Sequence, residues 1–190
     1  MNRQHERQKD DHYTTPAWCV QALLGATDLR GDCALDPAAG NGGIGTVYLD
    51  RFPRCALAEI EIDAERAQRV NAPYGTQRRC VQGTFLDIKP DTLPRFDVII
   101  TNPPYSQAFE FLVHARECAG DKTKIAFLLR LGFLASQRRV AVLSTWAPDV
   151  YVLARRPSFA HGRTDSTDYA WFVWEGTQAR SEGKVRVLPP

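Results

Sequence analysis

Two short apolar runs in this chain each end in a cluster of turn-forming residues, and this arrangement strongly constrains the fold. The first cluster is Asp36–Gly42, with the sequence Asp-Pro-Ala-Ala-Gly-Asn-Gly. The second is Asn102–Tyr105, with the sequence Asn-Pro-Pro-Tyr, and it follows the run Val98–Ile100. Short apolar runs bounded by turn residues are typical of strands buried in a sheet. Because open α/β sheets bind ligands at the carboxyl ends of their strands, both clusters are candidates for a functional site.

The rest of the chain repeats the alternation of short apolar runs with amphipathic stretches. This pattern predicts an α/β fold, in which βαβ units build a single, mainly parallel sheet of seven strands with helices on both faces. The predicted strands are residues 33–36, 56–61, 80–85, 96–101, 125–130, 149–154 and 169–174. The predicted helices are residues 16–25, 43–51, 63–71, 107–119 and 136–146.

The 190 residues are enough for one well-buried core, so a single domain is expected. Residues 1–10 are charged and predict a flexible arm, and residues 11–180 form the predicted domain. Residues 181–190 predict either an added edge strand or a tail. The polar start and the lack of an 18-residue apolar stretch predict a cytosolic protein without a membrane partner.

The five cysteines are scattered and include no Cys-x-x-Cys pair, and only four histidines accompany them. This spacing argues against a zinc site, and no metal is expected. Small buried thiols in a reducing compartment are the preferred interpretation.

The glycine-rich cluster also matches the dinucleotide pattern Gly-x-Gly-x-x-Gly through Gly45. Glycines permit a tight turn and close approach of the backbone to a ligand, and Glu61 after the next strand can accept hydrogen bonds from ribose hydroxyls. NAD and S-adenosylmethionine fit these features equally, and a glycine turn without a ligand is the alternative. Asp36 favours S-adenosylmethionine, because a carboxylate tolerates a cationic sulfonium better than a pyrophosphate.

Together, the two clusters resemble the amino-methyltransferases that use S-adenosylmethionine, and specifically the DNA adenine-N6 enzymes. Asp11–Pro16 is similar to the N-terminal cofactor motif of small stand-alone members carried by phages and mobile elements. The likeness runs from Asp11 to Trp174 and implies a Rossmann-like class I methyltransferase fold. Three later segments also resemble that small group: Arg156–Phe159, Thr164–Ser166 and Tyr169–Trp174.

The resemblance assigns cofactor contacts residue by residue. Glu61 would hold the ribose hydroxyls, and Ile62 would lie against the cofactor's adenine. The methionine end would be contacted by Tyr13, Thr14, Thr15 and Pro16. The methionine and ribose would be cradled by Asp36, Pro37, Ala38, Gly40, Asn41 and Gly42.

Thr84, before Phe85, departs from the family pattern. The family usually has an aspartate there, which accepts a hydrogen bond from the cofactor's adenine amine. Thr84 or Asp87 could substitute, but weaker cofactor affinity is the simpler expectation.

The Asn-Pro-Pro-Tyr cluster suits methyl transfer to a planar amine. An adenine amine is a poor nucleophile, and the Asn102 side-chain oxygen and the Pro103 carbonyl can each accept one of its N–H groups. Pro103 and Pro104 stiffen this segment, and Tyr105 offers a face for base stacking. Asn102 is also expected to contact the cofactor. The step needs no strong general base, so the histidines are expected at the surface.

Residues 130–163 combine six arginines, one acidic residue and several aromatic side chains. This mixture favours phosphates with stacked bases, although a solvated helix face explains Arg138 and Arg139 equally well. The predicted nucleic-acid contacts are Tyr105, Arg130, Arg155, Arg156, Phe159 and Arg163.

The sequence therefore predicts methyl transfer to adenine N6 in DNA, by a monomer or weak dimer that flips the target base out of the duplex. RNA is not excluded as the substrate. The alternatives are adenine-N6 or guanine-N2 methylation in RNA, methylation of a glutamine amide in release factors, a nicotinamide oxidoreductase, and a binding partner without turnover. Short or relaxed target recognition is expected, because few residues remain to read base edges.

Overall fold

A computed structural model describes residues 14–71, 77–159 and 166–189 of the chain. The helices are α1 (Ala17–Ala26), α2 (Gly43–Arg51), α3 (Ala64–Asn71), α4 (Ala108–Cys118) and α5 (Val140–Thr145). The strands are β1 (Cys33–Asp36), β2 (Ala56–Glu61), β3 (Arg78–Gln82), β4 (Val98–Thr101), β5 (Lys124–Arg130), β6 (Asp149–Leu153), β7 (Tyr169–Glu175) and β8 (Val185–Leu188). Short 3-10 turns occur at Phe85–Asp87, Pro90–Thr92, Tyr105–Gln107 and Leu131–Leu134.

The strands form one sheet in the order β3-β2-β1-β4-β5-β7-β6-β8. All neighbours are parallel except β7, which runs antiparallel to both β5 and β6. The chain order reverses between β1 and β4, so their carboxyl ends flank the crevice where such sheets bind ligands. The two motif clusters follow these two strands directly.

The sheet has eight strands where seven were predicted. The additional strand β8 pairs parallel with β6, with Val185 opposite Val150. Of the two structures considered for residues 181–190, the edge strand is therefore the one observed for residues 185–188. Pro190 and residues 1–10, the predicted arm, lie outside the described residues.

Two elements differ most from their predicted bounds. Strand β3 covers residues 78–82, because Gly83 turns away and the chain enters a 3-10 turn that buries Phe85. Helix α5 begins at Val140, because residues 137–139 form a turn in which the Arg139 amide donates to the carbonyl oxygen of Ser136 at 3.1 Å. Arg139 donates from Nε to the carbonyl oxygen of Phe133 at 2.7 Å, which holds the preceding 3-10 turn against the start of the helix.

The helices cover both faces of the sheet, as predicted. Helices α1 and α2 lie on one face, where Leu23 and Tyr48 pack against Trp171 of β7. Helix α4 lies on the other face, where Leu112 packs with Phe127 and other core residues. The cores on the two faces are closely packed, so the strands that carry the site residues are held rigidly.

The cysteines are all unpaired thiols, and four of the five are buried. Across residues 14–71, 77–159 and 166–189, no group of three or more His, Cys, Asp or Glu side chains could hold a metal ion. No helix in these ranges combines the length and the apolar character needed to cross a membrane.

Candidate functional site

A cavity of about 550 Å³ opens at the carboxyl ends of β1, β2 and β4. This volume is in the range that holds a nucleoside-sized ligand. Most of the predicted cofactor residues line it: Thr14, Thr15, Pro37, Ala38, Gly40, Asn41, Glu61, Ile62, Thr84, Phe85 and Asn102. Pro103 and Pro104 line it as well. Pro16, Asp36 and Gly42 are not part of the lining, and Tyr13 lies outside the described residues.

The glycine loop owes its shape to left-handed backbone at Gly40 (φ 57°) and Gly42 (φ 75°). A Cβ atom at Gly42 would come within 2.2 Å of the Arg78 guanidinium, so glycine is required there by space as well as by conformation. Helix α2 begins at the next residue, Gly43. The loop therefore brings its backbone to the cavity at the first turn of α2.

A buried ion pair supports the loop from below. Arg78 donates to Glu59 through Nη2 at 2.8 Å and through Nε at 2.5 Å. The same guanidinium donates to the carbonyl oxygen of Gly42 at 2.9 Å and to the Thr46 hydroxyl at 3.1 Å. Sequence reasoning missed this pair. The available signal was Glu59 itself, because a carboxylate inside a strand of a parallel sheet requires a buried partner.

Asp36 is fully buried at the end of β1 and lies behind the cavity lining. Its Oδ1 atom accepts a hydrogen bond from the Ala38 amide at 3.1 Å. Burial raises the pKa of this carboxyl to about 7, and the nearby Glu59 carboxylate adds to the rise. Thr101, the Ala38 amide and Arg78 oppose it. Asp36 thus shapes the loop from behind the cavity wall.

Glu61 lines the cavity and is fixed there by two backbone amides. Its carboxylate accepts from the Gly40 N–H at 2.8 Å and from the Asp63 N–H at 3.0 Å. Arg66 lies 3.4 Å from the same carboxylate. The next side chain, Ile62, lines the cavity and is 70% exposed. An apolar side chain open to a cavity suits packing against a flat aromatic ligand.

The cavity lining also contains Thr84 and Phe85. The Phe85 ring is fully buried and packs 5.5 Å from the Phe111 ring, measured between centroids. Thr84 lies in extended backbone at the turn and lines the cavity, so it is placed to meet a ligand held there.

Asn102 lies just beyond β4 and is linked to the segment before α1. Its Nδ2 atom donates to the Thr15 hydroxyl at 3.1 Å, and Asn41 of the glycine loop donates to the Thr14 hydroxyl at 2.9 Å. The Oδ1 atom of Asn102 is buried and accepts no hydrogen bond within the described part of the chain. A buried acceptor without a donor is costly, so this atom fits a ligand N–H group.

Tyr105 begins the 3-10 turn after this segment and does not line the cavity. Its ring packs near Tyr169 at 5.6 Å and near Phe159 at 6.5 Å between centroids. The Arg130 guanidinium lies over the ring, 4.9 Å from its centroid. Burial raises the pKa of the Tyr105 phenol above its usual value, so the ring stays neutral.

The structure divides the basic stretch into two groups. Arg138 pairs with Glu110 at 2.6 Å, and Arg139 bonds to backbone carbonyls of the preceding turn. Both residues lie just before helix α5 rather than on it, so contacts with the protein itself take the place of the solvated helix face considered for them. Trp146 of the same stretch is a core residue.

The second group lies at the carboxyl ends of β5 and β6, where Arg130, Arg155 and Arg156 are exposed. Arg156 pairs with Asp168 at 2.8 Å. The Arg155 guanidinium lies 5.3 Å from the ring centroid of Trp18 in α1, a contact that sequence reasoning missed. Arg163 lies outside the described residues.

No protein-family profile matches the chain. It is 31% identical over 90 residues to a tRNA1(Val) (adenine(37)-N6)-methyltransferase of Pedobacter heparinus, covering 44% of this chain and 38% of that protein. The enzyme of the same name from Porphyromonas gingivalis strain W83 is 35% identical over 107 residues, 52% of this chain and 40% of that protein. A release factor glutamine methyltransferase of Streptomyces coelicolor is 28% identical over 111 residues, 57% of this chain and 39% of that protein. The matched segments thus span about two-fifths of these relatives.

Solved structures match over most of the chain. A predicted O-methyltransferase of Agrobacterium tumefaciens has a TM-score of 0.65 at 16% identity, over 90% of this chain and 84% of that one. The 23S rRNA methyltransferase ErmE has a TM-score of 0.63 at 16% identity, over 90% and 70%. This protein has the Rossmann-like class I methyltransferase fold. The likenesses also support S-adenosylmethionine, the cofactor predicted from the sequence.

Proposed function

We propose that this protein transfers a methyl group from S-adenosylmethionine to the exocyclic N6 amine of adenine in a nucleic acid. The observation that carries the proposal is the buried, unpartnered Oδ1 atom of Asn102 beside the cavity. An adenine amine is an N–H donor of the kind that this acceptor lacks. The resemblance of the motifs to the DNA adenine-N6 enzymes favours DNA as the substrate.

The cofactor fits the residues that form the cavity. Glu61 keeps a carboxylate, fixed by two amides, available for ribose hydroxyls, and exposed Ile62 suits the adenine ring. The backbone of the glycine loop can approach the methionine end closely. When bound there, S-adenosylmethionine supplies an electrophilic methyl group on a cationic sulfur.

The protein's part in the reaction is to hold the amine. Asn102 Oδ1 and the Pro103 carbonyl oxygen each accept one N–H, which directs the nitrogen lone pair and stabilises the positive charge that develops there. With the cofactor held by Glu61 and the glycine loop, transfer would form the nitrogen–methyl bond as the carbon–sulfur bond breaks, and the extra proton would then leave to solvent. This chemistry needs no general base. His114 is accordingly engaged elsewhere, with Nε2 2.9 Å from the carbonyl oxygen of Ile88.

RNA is the second candidate substrate. Two of the relatives described above carry the name of a tRNA adenine-N6 methyltransferase. The exposed arginines at the strand ends suit either backbone, because phosphate contacts do not distinguish DNA from RNA. A glutamine amide, the group named for the Streptomyces relative, offers the same N–H donors but no phosphates.

The test is to incubate the full chain with isotope-labelled S-adenosylmethionine and matched DNA and RNA, each in single- and double-stranded form. Digestion and mass spectrometry identify the modified nucleoside, and the N6-methylated form of adenosine or deoxyadenosine is expected. A release-factor peptide is the protein control.

Asn102→Ala is the matched variant for this assay. It should still bind the cofactor through Glu61 and the glycine loop but lose transfer, whereas a binding partner without turnover would have no activity to lose. Label on cytosine, on guanine or on the peptide alone would overturn the proposal, as would transfer that survives in Asn102→Ala.

A further inference from the structure

Besides Arg130 and Tyr105, a second cation–aromatic pair lies at the carboxyl ends of the strands, where the candidate site is. Trp18 is in the first turn of α1, three positions after Thr15, which bonds to Asn102. Its indole is half-buried and packs on the same core cluster as Tyr105 and Phe159. The indole therefore lies on the face of the sheet that also carries the predicted base-stacking residues.

Arg155 brings a positive charge to this indole from another part of the chain. It lies two residues beyond the end of β6, and its exposed guanidinium is 5.3 Å from the Trp18 ring centroid. Arg130 lies over the ring of Tyr105 in the same way, at 4.9 Å. Two cation–aromatic pairs thus lie at the end of the sheet where β5 and β6 terminate.

The sheet register gives the separation of the two strands that lead to Arg130 and Arg155. Leu129 of β5 and Val152 of β6 both pair with Ala170 of β7, so the ends of β5 and β6 are level and two strand spacings apart. That separation is about 10 Å. If the target base of a nucleic acid enters beside Tyr105, a neighbouring nucleotide of the same strand would lie next to Trp18 and Arg155.

We propose that Trp18 and Arg155 form a binding site for an unpaired nucleotide next to the target adenine. The base displaces the guanidinium and stacks on the indole, and Arg155 turns to the phosphate. Stacking on an aromatic face accepts any base, so the site adds affinity for single-stranded or opened nucleic acid without reading its sequence. The inference rests on the proposed function, because it takes the partner to be a nucleic acid.

Tryptophan fluorescence reports on this site directly. Of the four tryptophans, Trp146, Trp171 and Trp174 are at most 1% exposed, whereas Trp18 is partly accessible. Titrating the full chain without cofactor with an adenine-free single-stranded oligothymidine should quench emission to saturation. In Trp18→Phe the quenching should disappear, since the three buried indoles cannot meet the base.

Anisotropy of a dye-labelled oligonucleotide measures affinity independently of tryptophan. Trp18→Ala should weaken binding about tenfold, with Trp18→Phe in between. Arg155→Ala should weaken binding and lower the salt dependence by about one phosphate contact. The matched control is Arg54→Ala. It removes an exposed arginine that lies just before β2, at the amino-terminal ends of the parallel strands and away from the site. It should bind like the parent.

The outcomes separate this inference from the proposed function. Unchanged affinity in both Trp18→Phe and Arg155→Ala, or quenching that persists in Trp18→Phe, overturns the nucleotide site even if methyl transfer is observed. Saturable Trp18-dependent quenching without methyl transfer supports the site and counts against the function. If Trp18→Ala does not fold, Trp18→Phe and Arg155→Ala carry the test. Oligouridine in place of oligothymidine compares RNA with DNA at the same site.

Discussion

The Nδ2 atom of Asn102 donates a hydrogen bond to the hydroxyl of Thr15 at 3.1 Å, joining two segments that are 87 residues apart. The bond fixes the amide plane and so decides which atom of Asn102 can accept from a substrate. Thr15 is itself 5% exposed, so water cannot easily replace it. We interpret Thr15 as a positioning residue for the Asn102 amide.

Replacing Thr15 by valine should slow methyl transfer without removing the cofactor site. The variant keeps the side-chain shape but lacks the hydroxyl, so the Asn102 amide loses its orienting partner. A fall in kcat of about tenfold is expected, the size of one lost hydrogen bond. Steady-state kinetics measure it, and calorimetry should find a smaller effect on cofactor affinity, because Thr15 also lines the cavity. Thr15→Ser, which keeps the hydroxyl, is the control, and an equal loss in both variants would contradict the interpretation.

Breaking the ion pair below the glycine loop should destabilise the fold. Arg78→Met leaves Glu59 buried without its partner, a change that typically costs about 3–5 kcal/mol. Urea unfolding followed by circular dichroism gives the free energy of unfolding. The double variant Glu59→Leu/Arg78→Met should recover part of the loss, since it leaves no buried charge. If the double variant is less stable than Arg78→Met, charge isolation is not the cause.

Thr84→Asp should tighten cofactor binding. A carboxylate at this position can accept a hydrogen bond from the cofactor's adenine amine, as the aspartate of the resembling family does. A gain of about tenfold is expected for a hydrogen bond to a charged group, measured by calorimetry. Thr84→Asn supplies a neutral acceptor and should gain less. No change or a loss in Thr84→Asp would contradict the alignment of residue 84 with the family aspartate.

Asp36 should make the folded protein less stable as pH rises towards neutrality. Its pKa is raised from 3.8 to about 7, so between these values the folded state holds a proton that the unfolded state has released. The stabilising effect of protonated Asp36 is complete below the unfolded pKa and is lost as pH rises through the folded pKa. The full difference is on the order of 4 kcal/mol.

Asp36→Asn tests this pH dependence, since the amide resembles the protonated carboxyl and does not titrate. Urea unfolding at pH 5 and pH 8 should give a smaller loss of stability in the variant than in the parent. Equal losses in the two proteins would assign the pH dependence to other groups, such as Glu59, whose pKa burial also raises.

The seven predicted strands and five predicted helices are present because each carries a local signal, a short apolar run or an amphipathic stretch. Strand β8 was left open because Val185 and Val187 are mostly exposed and flank Arg186, which gives little apolar signal over four residues. Helix α5 starts later than predicted because Arg139 bonds to the turn before it, a contact that composition does not reveal.

The candidate site likewise contains features that the sequence predicts and features that it does not. The glycine loop, Glu61 and Asn102 were predictable, because each belongs to a local motif with a stated chemical reason. The contacts that orient and support them, Thr15 with Asn102 and Arg78 with Gly42, join distant segments and depend on the folded sheet. Trp18 was missed because tryptophan in an amphipathic helix usually indicates a core position.

The antiparallel strand β7 lies between β5 and β6, so the connection that leaves β6 starts and finishes at the end of the sheet where β5 and β6 terminate. Loops that join two strand ends in this way generally tolerate changes in length and sequence better than the strands themselves. A descendant of this chain could therefore acquire a new target by changing this one connection while its cofactor half stayed intact.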